Sequence, residues 1–370
     1  MSESPRPTPR VLLAAFQGWG DAGEAATDTL QHLSLRLEAE PLHSIGASGY
    51  IDFQAHRPKL TRDALGKRSL EWPETRLYGP VVRPGLIAMP AAAPAAPHTP
   101  GPVPGPGPVS VPAAEPAQAA DAAALADTAD TDEKDAPELP ERVTRIDGSL
   151  VTELYLLAGY EPAYNWQDFA DEIVDLAETW AFDTVILIGS MYAEAPHSRQ
   201  IATTISSENE TLRATAGAVI STYEGPVGIA SIIELALCDA DIPTLSLWAQ
   251  VPHYVHSAPS PKATLALLDK LEELLDVVIP RGELLDQSNE WERHINRIAE
   301  GDEEMSQYIR TLERARDEAL AAGTTGDAIA LEFEKLLGGA IEDPDQSSAP
   351  RFPRGPEAQD PELPRDPDQM

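Results

Sequence analysis

The sequence predicts an α/β fold built on a mostly parallel sheet with helices on both faces. Short apolar runs at residues 11–16, 184–188 and 244–248 have the length and the flanking turns of buried parallel strands. Stretches with helical periodicity separate these runs, and strands that alternate with helices are typical of such sheets. Beyond Ser260 the pattern is wholly helical, which adds a C-terminal helical extension.

The first predicted element is a strand that leads through a glycine turn into a helix. The strand covers residues 11–16, and apolar residues recur at helical spacing from Ala25 to Leu37. Between them, Asp21 and Glu24 fit a capping box, with Asp21 at the N-cap and Glu24 at N3. Later strands are expected at residues 150–158, 184–188, 218–221 and 244–248, and later helices at 166–180, 229–237, 262–277, 289–299, 303–322 and 327–337.

The distribution of proline divides the chain into parts that fold and parts that do not. Of the 35 prolines, 14 lie in residues 80–140 and seven lie in residues 341–370. Such segments have too little apolar surface to offset the entropy of ordering, so we expect both to be disordered. The expected organisation is a disordered N-terminus (1–10), an α/β core (11–79 and 145–260), a disordered Pro/Ala-rich acidic insert (80–144), a helical region (261–338) and a disordered acidic tail (339–370).

The net charge and the cysteine content of the chain exclude some classes of partner and indicate its cellular location. A formal net charge of −34 repels phosphate backbones and anionic bilayers, so we expect neither nucleic-acid binding nor membrane binding. The single Cys238 excludes an intrachain disulfide and fits a reducing compartment. Residues 1–10 are polar, and the apolar run after them is too short for a signal peptide or a membrane span. We therefore expect a cytoplasmic protein.

The turn from Gly18 to Gly23 stands where α/β proteins commonly bind ligands, because strand ends and helix-start N–H groups converge there. The turn contains no Lys or Arg and matches neither of the phosphate-binding glycine motifs. The carboxylates of Asp21 and Glu24 lie where a phosphate would bind. A structural turn is therefore favoured over a nucleotide site, and no cofactor is expected.

Several motifs follow one another along the chain in an order that resembles one protein family. They are Phe16–Gly23, Asp52-Phe53 with Arg57-Pro58, Trp72-Pro73-Glu74, Gly159–Pro162 with Trp166, Pro196–Arg199, Tyr223–Gly228 and Trp248–Tyr254. Through them, residues 11–79 and 145–315 resemble the PAC2 family, the proteasome-assembly-chaperone-related proteins, in its bacterial form. The ordered recurrence of the motifs, rather than any single one, makes this resemblance specific.

The resemblance implies a three-layer α/β/α fold akin to that of nucleoside phosphorylases, with trailing helices. It also implies self-association into a homo-oligomer. The eukaryotic members of the family resemble non-enzymatic chaperones that hold proteasome α-subunits during ring assembly. By resemblance, therefore, proteasome subunits are the partners to test.

If the sheet is parallel, the loops after its strands meet at one carboxyl edge and form a candidate pocket. Its residues are Trp19, Asp21, Asp52, Arg57, Glu161, His197, Arg199, Trp248 and His253. In a catalytic interpretation, His197 or His253 carries a proton and Arg199 anchors an anion. In the alternative, each closes its own loop by hydrogen bonding to backbone carbonyls. We favour the alternative because structural networks hold such residues as readily as catalytic sites do.

No complete catalytic or metal-binding motif appears in the sequence. Ser48 and Ser190 lie near glycines but outside G-x-S-x-G, and Cys238 falls in an apolar helical stretch. The proline between Glu194 and His197 prevents a regular helix from presenting both side chains to a metal. We therefore expect no metal site.

Two functions remain open from the sequence. The first is a non-catalytic chaperone or scaffold that self-associates and binds a protein partner. The second is a hydrolase or nucleosidase-like enzyme that uses the carboxyl-edge pocket. The apolar stripe of the predicted helix at residues 327–337 needs a surface to cover it, either on its own domain or on a partner subunit.

Overall fold

The architecture comes from a computed structural model, which describes residues 9–62, 66–80, 142–255 and 258–321. The predicted disorder of the N-terminus, the insert and the tail falls almost entirely outside them. The helix predicted at residues 327–337 also lies outside the described residues.

The described ranges contain eleven strands and seven α-helices. The strands are β1 (Val11–Gln17), β2 (Glu40–Ile45), β3 (Lys59–Arg62), β4 (Arg68–Glu71), β5 (Thr75–Gly79), β6 (Thr144–Arg145), β7 (Leu154–Tyr160), β8 (Thr184–Ala193), β9 (Thr203–Ser206), β10 (Thr244–Pro252) and β11 (Val277–Val278). The helices are α1 (Ala25–Leu37), α2 (Trp166–Thr179), α3 (Glu210–Ala216), α4 (Ile229–Asp239), α5 (Pro261–Leu275), α6 (Leu284–Glu300) and α7 (Glu303–Ala321).

The central sheet has seven strands in the order β2-β5-β7-β1-β8-β10-β9. Strand β1 pairs in parallel with β7 and β8, and β8 pairs in parallel with β10. Strands β5 and β2 extend the sheet in antiparallel fashion on one side, and β9 does so on the other. The mostly parallel sheet that the sequence predicts is therefore confirmed at its centre, between antiparallel edges.

Helices cover both faces of the sheet, because alternate residues of the buried strands point to opposite sides. On one face, Leu13 and Ile186 pack with apolar residues of α1 and α5. On the other face, Leu12 and Val185 pack with those of α2 and α4. The fold is a three-layer α/β/α sandwich, as the resemblance implied. Helix α5 is part of that sandwich, while α6 packs on α5 and α7 packs on α6.

Strand β8 continues past the point where the sequence predicts its end. The sequence predicts a strand over residues 184–188, whereas β8 runs through Gly189 to Ala193. Gly189 lies opposite Trp248 of β10, and a Cβ atom on Gly189 would lie 2.5 Å from the indole ring. The glycine therefore makes room for a neighbouring ring instead of ending the strand.

The strand predicted at residues 218–221 is wrong. Val219 forms only an isolated bridge with Ser206, and the chain places its edge strand earlier, at β9. The core also resumes slightly before residue 145. Val143 is buried, and its N–H donates a 3.1 Å hydrogen bond to the carbonyl of Arg36.

Candidate functional site

The parallel strands bring several loops to the carboxyl edge of the sheet. The glycine turn follows β1, and residues 161–163 follow β7. His197 lies in the loop after β8, and His253 directly follows β10. These loops hold most of the residues that the sequence singles out.

Asp21 caps helix α1, although not in the predicted capping box. One carboxylate oxygen accepts hydrogen bonds from the N–H groups of Ala26 and Thr27, at 2.9 and 3.2 Å. The other oxygen accepts the hydroxyl proton of Thr27 at 2.5 Å. A 3-10 turn over Ala22–Glu24 separates Asp21 from α1, so the placement of Glu24 at N3 is wrong. Burial raises the pKa of Asp21, while the hydrogen bonds from Thr27 and Ala26 oppose that rise.

The carboxylate of Glu161 joins two elements across the edge of the sheet. Its Oε2 accepts a 2.8 Å hydrogen bond from the N–H of Trp19, and its Oε1 accepts a 2.9 Å bond from the N–H of Ile229. Ile229 is the first residue of α4, so the negative charge also lies at the positive end of a helix dipole. Both oxygens of Glu161 are thus engaged in holding the turn and the helix together.

An open cleft of about 490 Å³ lies beside this carboxylate. It is lined by Gln17, Gly18, Asp21, Glu24, His56, Glu161, Pro162, Ala163 and Trp166. His56 is not among the residues predicted from the sequence, and its ring centroid lies 4.2 Å from that of Tyr160. The predicted site residues on either side of His56 do not line the cleft. Asp52 accepts a 2.8 Å hydrogen bond from the N–H of Gln54 and closes a turn, and the side chain of Arg57 is exposed. The motif around Asp52 indicates this loop but gives no sign that His56 reaches the cleft.

His197 is held by hydrogen bonds at both ring nitrogens. Its Nε2 lies 3.1 Å from Oδ1 of Asn296, and its Nδ1 lies 2.8 Å from the hydroxyl of Tyr254. Because a side-chain carbonyl only accepts, Nε2 carries the proton and Nδ1 accepts the hydroxyl proton of Tyr254. Burial lowers the pKa of His197, which favours this neutral ring. His197 therefore fastens helix α6 to the loop after β8.

The guanidinium of Arg199 is bonded to helix α7. Its Nε and Nη2 each donate a 2.8 Å hydrogen bond to a different oxygen of Asp317, and its Nη1 lies 3.3 Å from Oε1 of Glu313. The hydroxyl of Ser198 also donates to Glu313. Two carboxylates therefore take the positions that an anion would need at Arg199.

The remaining two candidates, His253 and Trp248, support the loops around them. Nδ1–H of His253 donates to the carbonyl of Ala193 at 3.2 Å, and the backbone N–H of His253 donates to the same oxygen at 3.0 Å. The ring of Trp248 packs over Gly189 and beneath Gly20 of the glycine turn. Each of these side chains contacts backbone that belongs to the edge itself.

The nine candidates therefore lie in different surroundings. Of the nine, Asp21 and Glu161 line the cleft, whereas His197 and Arg199 bond to the C-terminal helices. Trp19 lies at the edge with 66% of its surface exposed. The cleft is lined by carboxylates and lies beside the exposed indole of Trp19, and its lining contains none of His197, Arg199 and His253.

The described part of the chain offers no preformed metal centre. Within it, no group of three or more His, Cys, Asp or Glu side chains is arranged to hold a metal ion. Two of the three carboxylates in the cleft already accept hydrogen bonds from backbone amides. Among the helices of this part, none is both long and apolar enough to cross a bilayer.

Comparison with known proteins places this fold and its motifs in a family. The family model described as the PAC2 family matches residues 15–99 and 106–299. Among solved structures, a PAC2 family protein from Streptomyces avermitilis is 30% identical, with 81% of this chain and 99% of that chain covered and a TM-score of 0.59. A proteasome-assembly chaperone homologue from Mycobacterium tuberculosis is 29% identical over the same shares, with a TM-score of 0.56.

A protein of unknown function from Corynebacterium glutamicum shares the fold at 20% identity, with a TM-score of 0.60 over 87% of this chain and 96% of that chain. No curated protein sequence matches the chain significantly. Because the family match spans most of the chain and a solved member is 30% identical across 81% of it, this chain belongs to the PAC2 family.

Proposed function

We propose that this protein is a non-catalytic chaperone or scaffold of the cytoplasm, which self-associates and holds a proteasome subunit. One observation carries the proposal. The groups at the carboxyl edge that would perform chemistry are used within the fold: His197 at both ring nitrogens, Arg199 in a fork on Asp317, and Glu161 on two amides. The description of the Mycobacterium tuberculosis homologue as a proteasome-assembly chaperone supports the choice of partner.

The exposed indole of Trp19 is the contact that we assign to the partner. An aromatic ring that is 66% exposed leaves a large apolar area in water, and such rings are frequent anchors in protein interfaces. The hydrogen bond from the N–H of Trp19 to Glu161 fixes its backbone, so the ring is presented on a firm base. Little ordering entropy is then lost when a partner binds.

Native mass spectrometry with separately purified proteasome α and β subunits tests this function. We expect a complex at micromolar concentration, and we expect Trp19→Ala to weaken it by roughly tenfold or more while the fold is unchanged. Leu35→Ala is the matched control, because Leu35 is 72% exposed near the C-terminal end of α1, away from the carboxyl edge. Folded protein that binds neither subunit, or equal losses from both variants, would refute the proposal.

The second candidate function is a hydrolase or nucleosidase-like enzyme, and the cleft of about 490 Å³ is the observation that favours it. The side chains of His56 and Glu24 line this cleft, and in the described residues neither forms a hydrogen bond that holds two strands together. A thermal-shift screen with nucleosides, nucleotides and small anions tests it. A ligand that raises the melting temperature of the wild type but not of His56→Ala and Glu24→Gln would support an enzyme, and no shift with any ligand would exclude that function.

A further inference from the structure

A ribbon of two strands stands apart from the central sheet and concentrates positive charge. Strands β3 and β4 pair only with each other, and all eight of their residues are exposed. Residues 57–71 hold five of the 27 Lys and Arg residues of a chain whose net charge is −34. The ribbon therefore carries a net positive charge, whereas the chain as a whole is strongly negative.

One face of this ribbon is both apolar and basic. Leu60 lies opposite Leu70, and Arg62 lies opposite Arg68. Cross-strand partners and alternate residues share a face, so these four side chains form one surface, which we call the ribbon face. Each leucine is 55% exposed. Within the described ranges, neither arginine forms an ion pair with a carboxylate.

The ribbon face is unfavourable on its own. Like charges directly opposite each other destabilise an antiparallel pair, and an isolated two-stranded ribbon is only marginally stable in water. A negatively charged surface placed against Arg62 and Arg68 would remove the repulsion, and its contact would also cover Leu60 and Leu70.

Helix α2 carries a surface of the required sign. Its exposed side holds five carboxylates at helical spacing and α2 has no Lys or Arg; we call this surface the α2 face, and its residues are Asp168, Asp171, Glu172, Asp175 and Glu178. Like charges three and four residues apart destabilise a helix. The structure shows one compensating bond in the described residues, in which the hydroxyl of Tyr50 donates to Glu172 at 2.6 Å.

We propose that the ribbon face of one copy of this chain docks on the α2 face of a second copy. On each of the two faces, side chains of like charge repel one another, and the contact would bring the opposite charges together. No ion pair in the described residues joins the two faces within one chain. Their sizes also match. Four residues of a strand span about 13 Å, and the run from Asp168 to Glu178 spans about 15 Å of helix.

This inference rests on the self-association part of the proposed function and names its surface. Exposed ion pairs are individually weak, so the affinity depends on several pairs acting together and on burial of the leucines. The contact should therefore weaken as salt screens the charges. Sedimentation velocity on the full chain, at about 50 mM and about 500 mM salt, measures this directly.

Charge reversal tests the pairing itself. We expect the double variant R62E/R68E to lose self-association, because its ribbon face and α2 face are then both acidic. D171R/D175R/E178R should lose it as well, because its α2 face then carries more arginines than carboxylates and meets a basic ribbon face. Mixing the two variants restores opposite signs at every contact, so the mixture should associate where neither variant does alone. The control R293E/R297E makes the same charge change on exposed residues of α6 and should associate like the wild type.

Several outcomes would overturn the inference. They are association that persists in R62E/R68E, a mixture that stays monomeric, and loss of association on deletion of residues 90–140, which would assign the contact between copies to the acidic insert instead of the α2 face. A wild type that is monomeric at about 100 µM overturns it too. None of these outcomes depends on a proteasome subunit, and a monomeric R62E/R68E that still binds one would leave the partner-holding proposal intact.

Discussion

Oε2 of Glu161 accepts a 2.8 Å hydrogen bond from the backbone N–H of Trp19, a residue 142 positions earlier in the chain. Oε1 of the same carboxylate accepts a bond from the first amide of α4. One side chain therefore sets the position of the exposed indole relative to a helix. The carboxylate that follows β7 thus has a structural role at the edge of the sheet.

Replacing Glu161 by Gln tests this bridging role. A glutamine side chain accepts with one atom only, and its NH2 group then faces the second N–H donor. We expect the free energy of unfolding in urea to fall by about 1 kcal/mol, because either the exposed N–H of Trp19 or the partly buried N–H of Ile229 loses its acceptor. Glu290→Gln, on the exposed side of α6, is the matched control and should change little. Equal losses from the two substitutions would contradict the bridging role.

The close approach of Trp248 to Gly189 gives a second prediction. A methyl group at Gly189 would lie 2.5 Å from the indole, so Gly189→Ala must displace a ring that β10 holds in place. We expect a loss of about 1–3 kcal/mol from this overpacking. In a double-mutant cycle with Trp248→Leu the cost should shrink, since the ring is gone. Gly46→Ala, with nothing within 4 Å of its added carbon, provides the control; a similar loss at Gly46, or no coupling to Trp248, would contradict the packing argument.

The elements that the sequence predicts well are those buried on two sides. Strands β1, β8 and β10 appear as apolar runs because helices cover both faces of the sheet. Helix α3 has no buried residue and hence no apolar stripe, so periodicity gives no sign of it. Strand β9 is also hard to predict, because it is a short, largely polar strand at the edge of the sheet with a single buried residue.

The candidate site divides along similar lines. Motif spacing correctly brings the glycine turn and Glu161 to one edge, because parallel strands align their ends. The partners of His197 and Arg199 lie 99 and 118 residues away, on helices that fold back over the loops. No local pattern shows that return. The positions of His197 and Arg199 after a parallel strand therefore suggest a pocket. In the structure, these side chains instead hold the C-terminal helices against the loop.

The ionisation of Asp28 gives a pH-dependent prediction. Burial, together with the carboxylates of Glu24 and Asp21, raises the pKa of Asp28 from 3.8 to about 6. The folded protein thus binds this proton more tightly than the unfolded chain, so stability is lost as the pH rises through about 6. Asp28→Asn should be more stable near pH 7, by about 1 kcal/mol once solvent screening of this half-buried group is allowed for.

Urea unfolding at about pH 7 and about pH 3 measures the effect. The gain should disappear at the lower value, which lies below both the unfolded pKa of 3.8 and the folded pKa of about 6, so that both states are largely protonated. Asp286→Asn, in the first turn of α6 and exposed, is the control and should show no comparable difference between the two conditions. A gain from Asp28→Asn that is independent of pH would mean that charge is not its cause.

The fork between Arg199 and Asp317 should act locally on α7. The pair is partly exposed, so Arg199→Ala is expected to lower the overall free energy of unfolding by less than about 1 kcal/mol. Helix α7 has only Ile309 and Leu312 buried, and it therefore depends on such ties to stay docked. We expect its amides to exchange with solvent roughly tenfold faster in the variant while those of β1 and β8 are unchanged, measured by hydrogen exchange with mass spectrometry.

Arg297→Ala, exposed on α6, should leave α7 as protected as in the wild type. If α7 exchanges equally in all three proteins, Arg199 does not fasten it, and its guanidinium is available for an anion after all.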